Sequence, residues 1–115
     1  MTINITFANG KTYLGRGVSE RQLYLQNGAV KWALDFQLLG AFKSDEVSEL
    51  LQEENIKAIT LFSDSAKDSV SLSGYNKVER AVIQYNDLVE PYVEVRLTKY
   101  ETTAEVTDDG ESGIV

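Results

Sequence analysis

The chain has no histidine and no cysteine, and these two absences exclude more than any motif present decides. Histidine is the one side chain whose ordinary pKa lies near neutrality, so the commonest general acid and base is missing. Ser-His-Asp and Cys-His nucleophile arrangements cannot be built. Zinc, haem, iron–sulfur and thiol redox centres lose their usual ligands, and a disulfide scaffold is excluded outright. Proline occurs once and glycine 8 times in 115 residues, which rules out collagen-like and proline-rich low-complexity chains. No apolar run approaches the roughly 18 residues of a membrane span, and no basic-then-apolar leader opens the sequence. The sequence therefore implies no signal-peptide export and no membrane partner.

What remains open to an active site is carboxylate, lysine or oxygen-ligand metal chemistry. Ser63 to Ser69 has the look of a calcium loop. Counted from Asp64, however, its sixth position is Ser69 and its twelfth is Tyr75, where Gly and Glu are needed. A polar hairpin connection is the simpler reading. Gly15-Arg16-Gly17 opens like a dinucleotide fingerprint, but Glu20 stands at the third glycine position and no helical pattern follows. A strand bulge accounts for it better. No phosphate-loop lysine motif and no Gly-x-Ser-x-Gly elbow occurs. The sequence implies no cofactor, no metal site and no catalytic residue; a divalent-metal carboxylate enzyme is the third-ranked function class.

The formal charge is −7, from 18 acidic and 11 basic residues. Glu101, Glu105, Asp108, Asp109 and Glu111 form an acidic stretch without Lys or Arg, so residues 1–100 carry 13 acidic against 11 basic residues. Asp45, Glu46, Glu49, Glu53 and Glu54 form a second cluster, and the remainder is mildly basic. No clustered Lys/Arg stripe offers itself to phosphates, which disfavours direct nucleic-acid binding. The acidic row is a candidate contact surface for a basic partner, or a solvated helix face.

Period-2 alternation dominates the chain. Ile3, Ile5 and Phe7 alternate with polar residues, and Val30, Trp32, Leu34, Phe36 and Leu38 alternate with Lys31, Ala33, Asp35 and Gln37. Each run adjoins an Asn-Gly pair, Asn9-Gly10 and Asn27-Gly28, the strongest short hairpin signal. Two-residue turns there would set Phe7 opposite Thr12, Ile5 opposite Leu14, Leu25 opposite Val30, Leu23 opposite Trp32 and Tyr24 opposite Lys31. In that register Trp32 lies in the core. One helix is predicted near 45–54, with Ser44 as N-cap, Val47, Leu50 and Leu51 as its apolar stripe, and Asn55 ending it. Strands follow over 56–62, around Val70 and Leu72, over 76–86 (where a helical stripe competes with β-prone residues) and over 92–100, with Asn86 to Pro91 a hairpin loop. The expectation is an α+β domain over residues 1–100: seven or eight short antiparallel strands in a small sandwich or roll, one short helix, and an acidic flexible tail over 101–115.

The order of a leading Ile-Thr-Phe-Ala-Asn-Gly hairpin (residues 5–10), an Asp-Glu-Val-Ser-Glu-Leu-Leu helix (45–51), Lys-Ala-Ile-Thr-Leu-Phe-Ser-Asp (57–64), Leu-Ser-Gly-Tyr-Asn-Lys-Val-Glu (72–79) and a closing Val-Glu-Val-Arg-Leu-Thr-Lys strand (93–99) resembles small β-rich proteins encoded by phages and prophages of Gram-positive bacteria. The resemblance spans roughly residues 3–99 and implies a non-enzymatic viral protein, a virion building block or an accessory factor acting on the host. It carries no functional residue with it. The expected function is protein–protein contact, with a protein partner that includes a second copy of the chain. The Arg21 to Leu39 hairpin, with Asn27 and Gly28 at its tip, is the candidate arm of an assembly component. Asp45, Glu46, Glu49, Glu53 and Glu54 are the candidate surface of the alternative, a phage-encoded inhibitor of a host defence protein, anti-CRISPR-like or DNA-mimicking.

Overall fold

A computed structural model of the protein describes residues 2–63, 69–86 and 89–101. The acidic stretch beyond Glu101 and the Asp64 to Asp68 segment lie outside the described residues. Seven strands and two short helices run in the order β1 (Thr2–Thr6), β2 (Thr12–Tyr24), β3 (Val30–Leu39), α1 (Ser44–Leu50), α2 (Glu53–Ile56), β4 (Ala58–Phe62), β5 (Ser69–Ser73), β6 (Lys77–Asn86) and β7 (Val89–Glu101). The strands form one antiparallel sheet in the order β5-β4-β1-β2-β3-β7-β6. Of the mainly antiparallel sandwich or roll expected, the antiparallel strands are present, and they belong to one sheet. Neither described helix is long and apolar enough to cross a membrane.

β5 and β6 occupy opposite margins of this sheet, yet Gly74, Tyr75 and Asn76 are all that separates them in sequence. Four Cα–Cα steps of 3.8 Å hold Ser73 and Lys77 within about 15 Å. Six strand spacings of a flat sheet would need about 28 Å. The sheet must therefore curl until its margins meet at that corner. Gly74 N–H donates to the Lys57 carbonyl at 2.8 Å and Asn76 N–H to the Thr98 carbonyl at 3.3 Å, pinning the corner to both margins.

The inner face carries the core: Ile5, Phe7, Leu34, Phe36, Leu38, Ile59, Val93, Val95 and Leu97, closed by Val47, Leu50, Leu51 and Ile56 from the helices. One flank of α1 lies along Val78, Ala81 and Ile83 of β6, and the other faces Asn9, Lys11 and Tyr13 of the first hairpin. The apolar stripe Val47, Leu50, Leu51 is buried as the spacing predicts. The single helix is instead two pieces broken at Leu51–Gln52. The N-cap is Lys43 rather than Ser44, and Glu46 reaches back to accept the Lys43 N–H at 2.8 Å. Asn55 lies inside α2, where its side chain donates to the Glu49 carbonyl at 3.0 Å across the break.

Both Asn-Gly hairpins differ from expectation by one residue. Phe7 N–H bonds the Lys11 carbonyl and Gly10 N–H bonds Phe7; Leu25 N–H bonds Ala29 and Gly28 N–H bonds Leu25. These are three-residue turns closed by a glycine with positive φ (84° at Gly10, 86° at Gly28). Asn9 and Asn27 each accept the N–H two residues on, at 2.9 and 3.0 Å, which fixes the turn. The register becomes Ile5↔Tyr13, Thr6↔Thr12, Tyr24↔Val30, Leu23↔Lys31 and Gln22↔Trp32. The one-residue slip turns Leu14 and Leu23 to the outer face, and sets Tyr24 on the face of Val30, where it is still 76% exposed. Trp32 is half-buried against the core rather than inside it.

The bulge expected at Gly15 to Gly17 is present: the β2–β3 register shifts between Arg16 and Ser19, and Gly17 takes φ 65°. Residues 77–86 are strand, not helix, and β7 already begins at Val89, which pairs with Asn86, so the expected loop does not run to Pro91.

Candidate functional site

The bulge in β2 has a consequence for the strand beyond it. β1 pairs with β2 only as far as Thr2↔Arg16, while β2 continues to Tyr24 paired to β3 alone. From Val18 to Tyr24 one side of β2 has no partner strand among the described residues. β6 begins opposite Thr98, so the far end of the sheet is a three-stranded arm of β2, β3 and β7. Among the described residues, three of the five large apolar side chains that stand exposed belong to this arm: Leu23 (38% exposed), Tyr24 (76%) and Tyr100 (55%). Asn27 and Gly28 sit at its tip, as the sequence places them. The Asn27 side-chain oxygen is engaged by the Ala29 N–H in the turn.

The outer face of the arm's base carries an ion-pair chain absent from the sequence-level picture. Lys31 meets Glu79 at 2.5 Å, Glu79 meets Arg96 at 3.6 Å, Arg96 meets Asp35 at 2.6 Å, and Asp35 meets Arg21 at 3.5 Å. Four strands are cross-linked by it. The hydrogen bond from Lys31, with Arg96 adding charge, holds the Glu79 carboxyl below its ordinary range, and Asp35 raises Arg96 further. Arg16 bonds Gln37 at 2.8 Å and stacks on Tyr92 at 5.4 Å.

On the inner face the bulge brings even-numbered residues of β2 inward, and Glu20 thereby reaches the corner between β5 and β6. Tyr75 is fully buried and its hydroxyl donates to Glu20 Oε2 at 2.5 Å. Lys99 Nζ lies 4.6 Å from the Tyr75 ring centre and 5.8 Å from that of Trp32, and donates to the Ser73 carbonyl. Burial first, and then the Glu20 carboxylate, push the Tyr75 phenol far above its usual value. The group stays neutral and acts as a clasp.

The predicted acidic residues are all exposed but do not form one row. Asp45 accepts the Glu46 N–H at 3.0 Å at the start of α1. Glu46 and Glu49 line one shallow groove with Asn9, Lys11, Tyr13 and Asn55, while Glu53 and Glu54 begin α2 beyond the break. None of the five forms a salt bridge within 4.0 Å among the described residues. Nor do three carboxylates converge there in a way that would hold a metal ion.

Sequence reasoning missed Glu20, Tyr75 and Lys99, whose meeting depends on the curl of the sheet, and the Asp35–Arg96–Glu79 chain, which depends on strand order. The alternating charges of Lys31, Asp35, Glu79, Arg80, Glu94 and Arg96 on β-prone runs were the available signal. No protein-family model, no curated protein and no solved structure matches the chain.

Proposed function

We propose that this is a non-catalytic phage or prophage protein that works through protein–protein contact, as a small assembly component inside the bacterial host or in the virion. The observation carrying this reading is the β2–β3–β7 arm, with a strand edge unpaired among the described residues and exposed Leu23, Tyr24 and Tyr100. Soluble proteins blunt long edges because free N–H and C=O groups recruit further strands. Here Val18 to Tyr24 contains neither Pro nor Lys, and the inward Glu20 is already engaged by Tyr75. Light scattering behind a size-exclusion column, across a wide concentration range and at two salt levels, tests the proposal. A self-associated species of defined mass supports it, and a strict monomer throughout overturns it.

A second reading rests on the five exposed carboxylates without salt bridges. They suit a basic protein channel, as in an inhibitor that occupies a nucleic-acid site. In that case charge reversal at Glu49 and Glu53 abolishes capture of the host partner, and high salt weakens it sharply. Unchanged capture by both variants at moderate salt would dispose of this reading.

A further inference from the structure

We infer that the partner of the free β2 edge is a second copy of this chain, joined antiparallel about a two-fold axis at Gln22, so that two sheets become one. The inference rests on the assembly reading above and names the surface and register it uses.

The ladder itself says which residues are available. Leu25 N–H bonds the Ala29 carbonyl, so Leu25 turns its backbone groups toward β3. In an antiparallel pair such residues alternate, hence Leu23, Arg21 and Ser19 also face β3. Glu20, Gln22 and Tyr24 therefore direct N–H and C=O to the open side. A two-fold axis normal to the sheet keeps each face on its own side, so residues of like parity oppose one another.

Chemistry then selects the register. An axis at Glu20 sets two carboxylates face to face, and one at Arg21 sets two guanidinium groups face to face; like charges in directly opposed positions are unfavourable. An axis at Leu23 is free of that conflict but leaves Val18 and Ser19 without partners, because their mates would fall at or beyond the Asn27 turn. An axis at Gln22 sets Gln22 against Gln22, Glu20 against Tyr24, Arg21 against Leu23, and Val18 against Gln26. It uses the whole free stretch from the bulge to the turn. The central three pairs supply roughly six backbone hydrogen bonds. Each exposed Tyr24 hydroxyl, which within its own chain donates to Gln22 Oε1 at 3.0 Å, exchanges that bond for Glu20 Oε1 of the second copy, the oxygen that Tyr75 does not hold. The exposed apolar surface of Leu23 and Tyr24 is covered in the same step. Arg21, which would lie beside Leu23 of the other copy, is already paired with Asp35.

The test compares three variants of the full chain with wild type by concentration-dependent light scattering, with circular dichroism confirming the fold. Tyr24→Glu and Tyr24→Lys remove the same aromatic ring from a site 76% exposed. They place opposite charges against Glu20 of the second copy. The expected result is a self-association constant at least about tenfold weaker for Tyr24→Glu, and little changed or tighter for Tyr24→Lys. Gln22→Pro removes an outward N–H that β3 does not use, and the expected result is a folded monomer. If the two Tyr24 variants weaken association equally, or if a wild-type oligomer survives both Tyr24→Glu and Gln22→Pro, the inferred interface is wrong while the assembly reading stands. A wild-type chain that is monomeric at every concentration overturns both, and points to a strand from a different protein.

Discussion

Replacing Gly15 by alanine tests how tightly the inner face is built where β2 leaves β1. A Cβ at Gly15 would stand 2.3 Å from Ile5 Cδ1, 3.2 Å from Ile5 Cγ1 and 3.0 Å from the Gln37 carbonyl oxygen. Ile5 is fully buried, so its end methyl has no open space to enter, and the carbonyl belongs to the β2–β3 ladder. The backbone at Gly15 is not left-handed, so alanine meets no conformational penalty. It even gains about 0.4–1 kcal/mol by restricting the unfolded chain. Overpacking costs about 1–3 kcal/mol. The expected net loss is about 1–2 kcal/mol, a fall in Tm of about 5–10 °C for a domain of this size. Ile5→Val alone costs about 0.5–1.5 kcal/mol, yet it deletes the very methyl that collides with the new Cβ. The double variant should therefore be at least about 1 kcal/mol more stable than the sum of the two single losses. Urea unfolding of the four proteins in the cycle measures this. Additivity within about 0.5 kcal/mol, or a Gly15→Ala protein as stable as wild type, would show that Ile5 does not rest on Gly15 as described.

Two pH-linked predictions follow from the clasp and the ion-pair chain. The Tyr75 phenol is raised above its unfolded value of 10.0, so its contribution is complete below pH 10 and is lost as pH rises beyond it. Ultraviolet absorbance titration should show one of the 6 tyrosines resisting ionisation until the chain unfolds. Tyr75→Phe should abolish that late step and lower stability by about 1–2 kcal/mol; a titration in which all tyrosines ionise together in the folded state would contradict the clasp. The Glu79 carboxyl is lowered from 4.5, so its contribution is present above that pH and disappears as pH falls through the folded value. Glu79→Gln should flatten the acid limb of a stability-versus-pH curve, and an unchanged acid limb would mean that the Lys31–Glu79–Arg96 contacts carry no linkage.

The strands of this protein were legible wherever one face is buried and the other is wet. Val30 to Leu38 and Val93 to Leu97 declare both their conformation and their inward side. β2 does not, because Tyr13-Leu14 and Leu23-Tyr24-Leu25 are consecutive apolar residues that fit either parity. Asn-Gly is equally at home in a two-residue turn and in a three-residue turn closed by glycine, and choosing the former displaced both registers by one. The helix was readable from Val47, Leu50 and Leu51; its break was not, since Gln52 and Asn55 act through hydrogen bonds to the Ser48 and Glu49 carbonyls. Of the candidate site, Asn27 and Gly28 were found at the tip of the arm, and the five acidic residues at the surface. The open edge of β2 was hidden because it depends on where β1 stops. Glu20 and Tyr75 lie 55 positions apart, joined only by the curl.

The corner at Gly74 to Asn76 also bears on how quickly the chain finds its fold. Both outermost strands come from the middle of the sequence, whereas β1 and β7 lie inside the sheet. The β1–β2–β3 meander can zip locally, but β7 must then dock on β3 with Val30 opposite Glu101. Closing so long a loop costs entropy before any contact repays it. High contact order of this kind places folding in the millisecond-to-second range. Until β7 arrives, β3 is itself an open edge, so the interval in which strand pairing can go astray is set by the slowest step of assembly within one chain. A nascent chain released before residue 92 would present that edge permanently, with Leu34, Phe36 and Leu38 beside it.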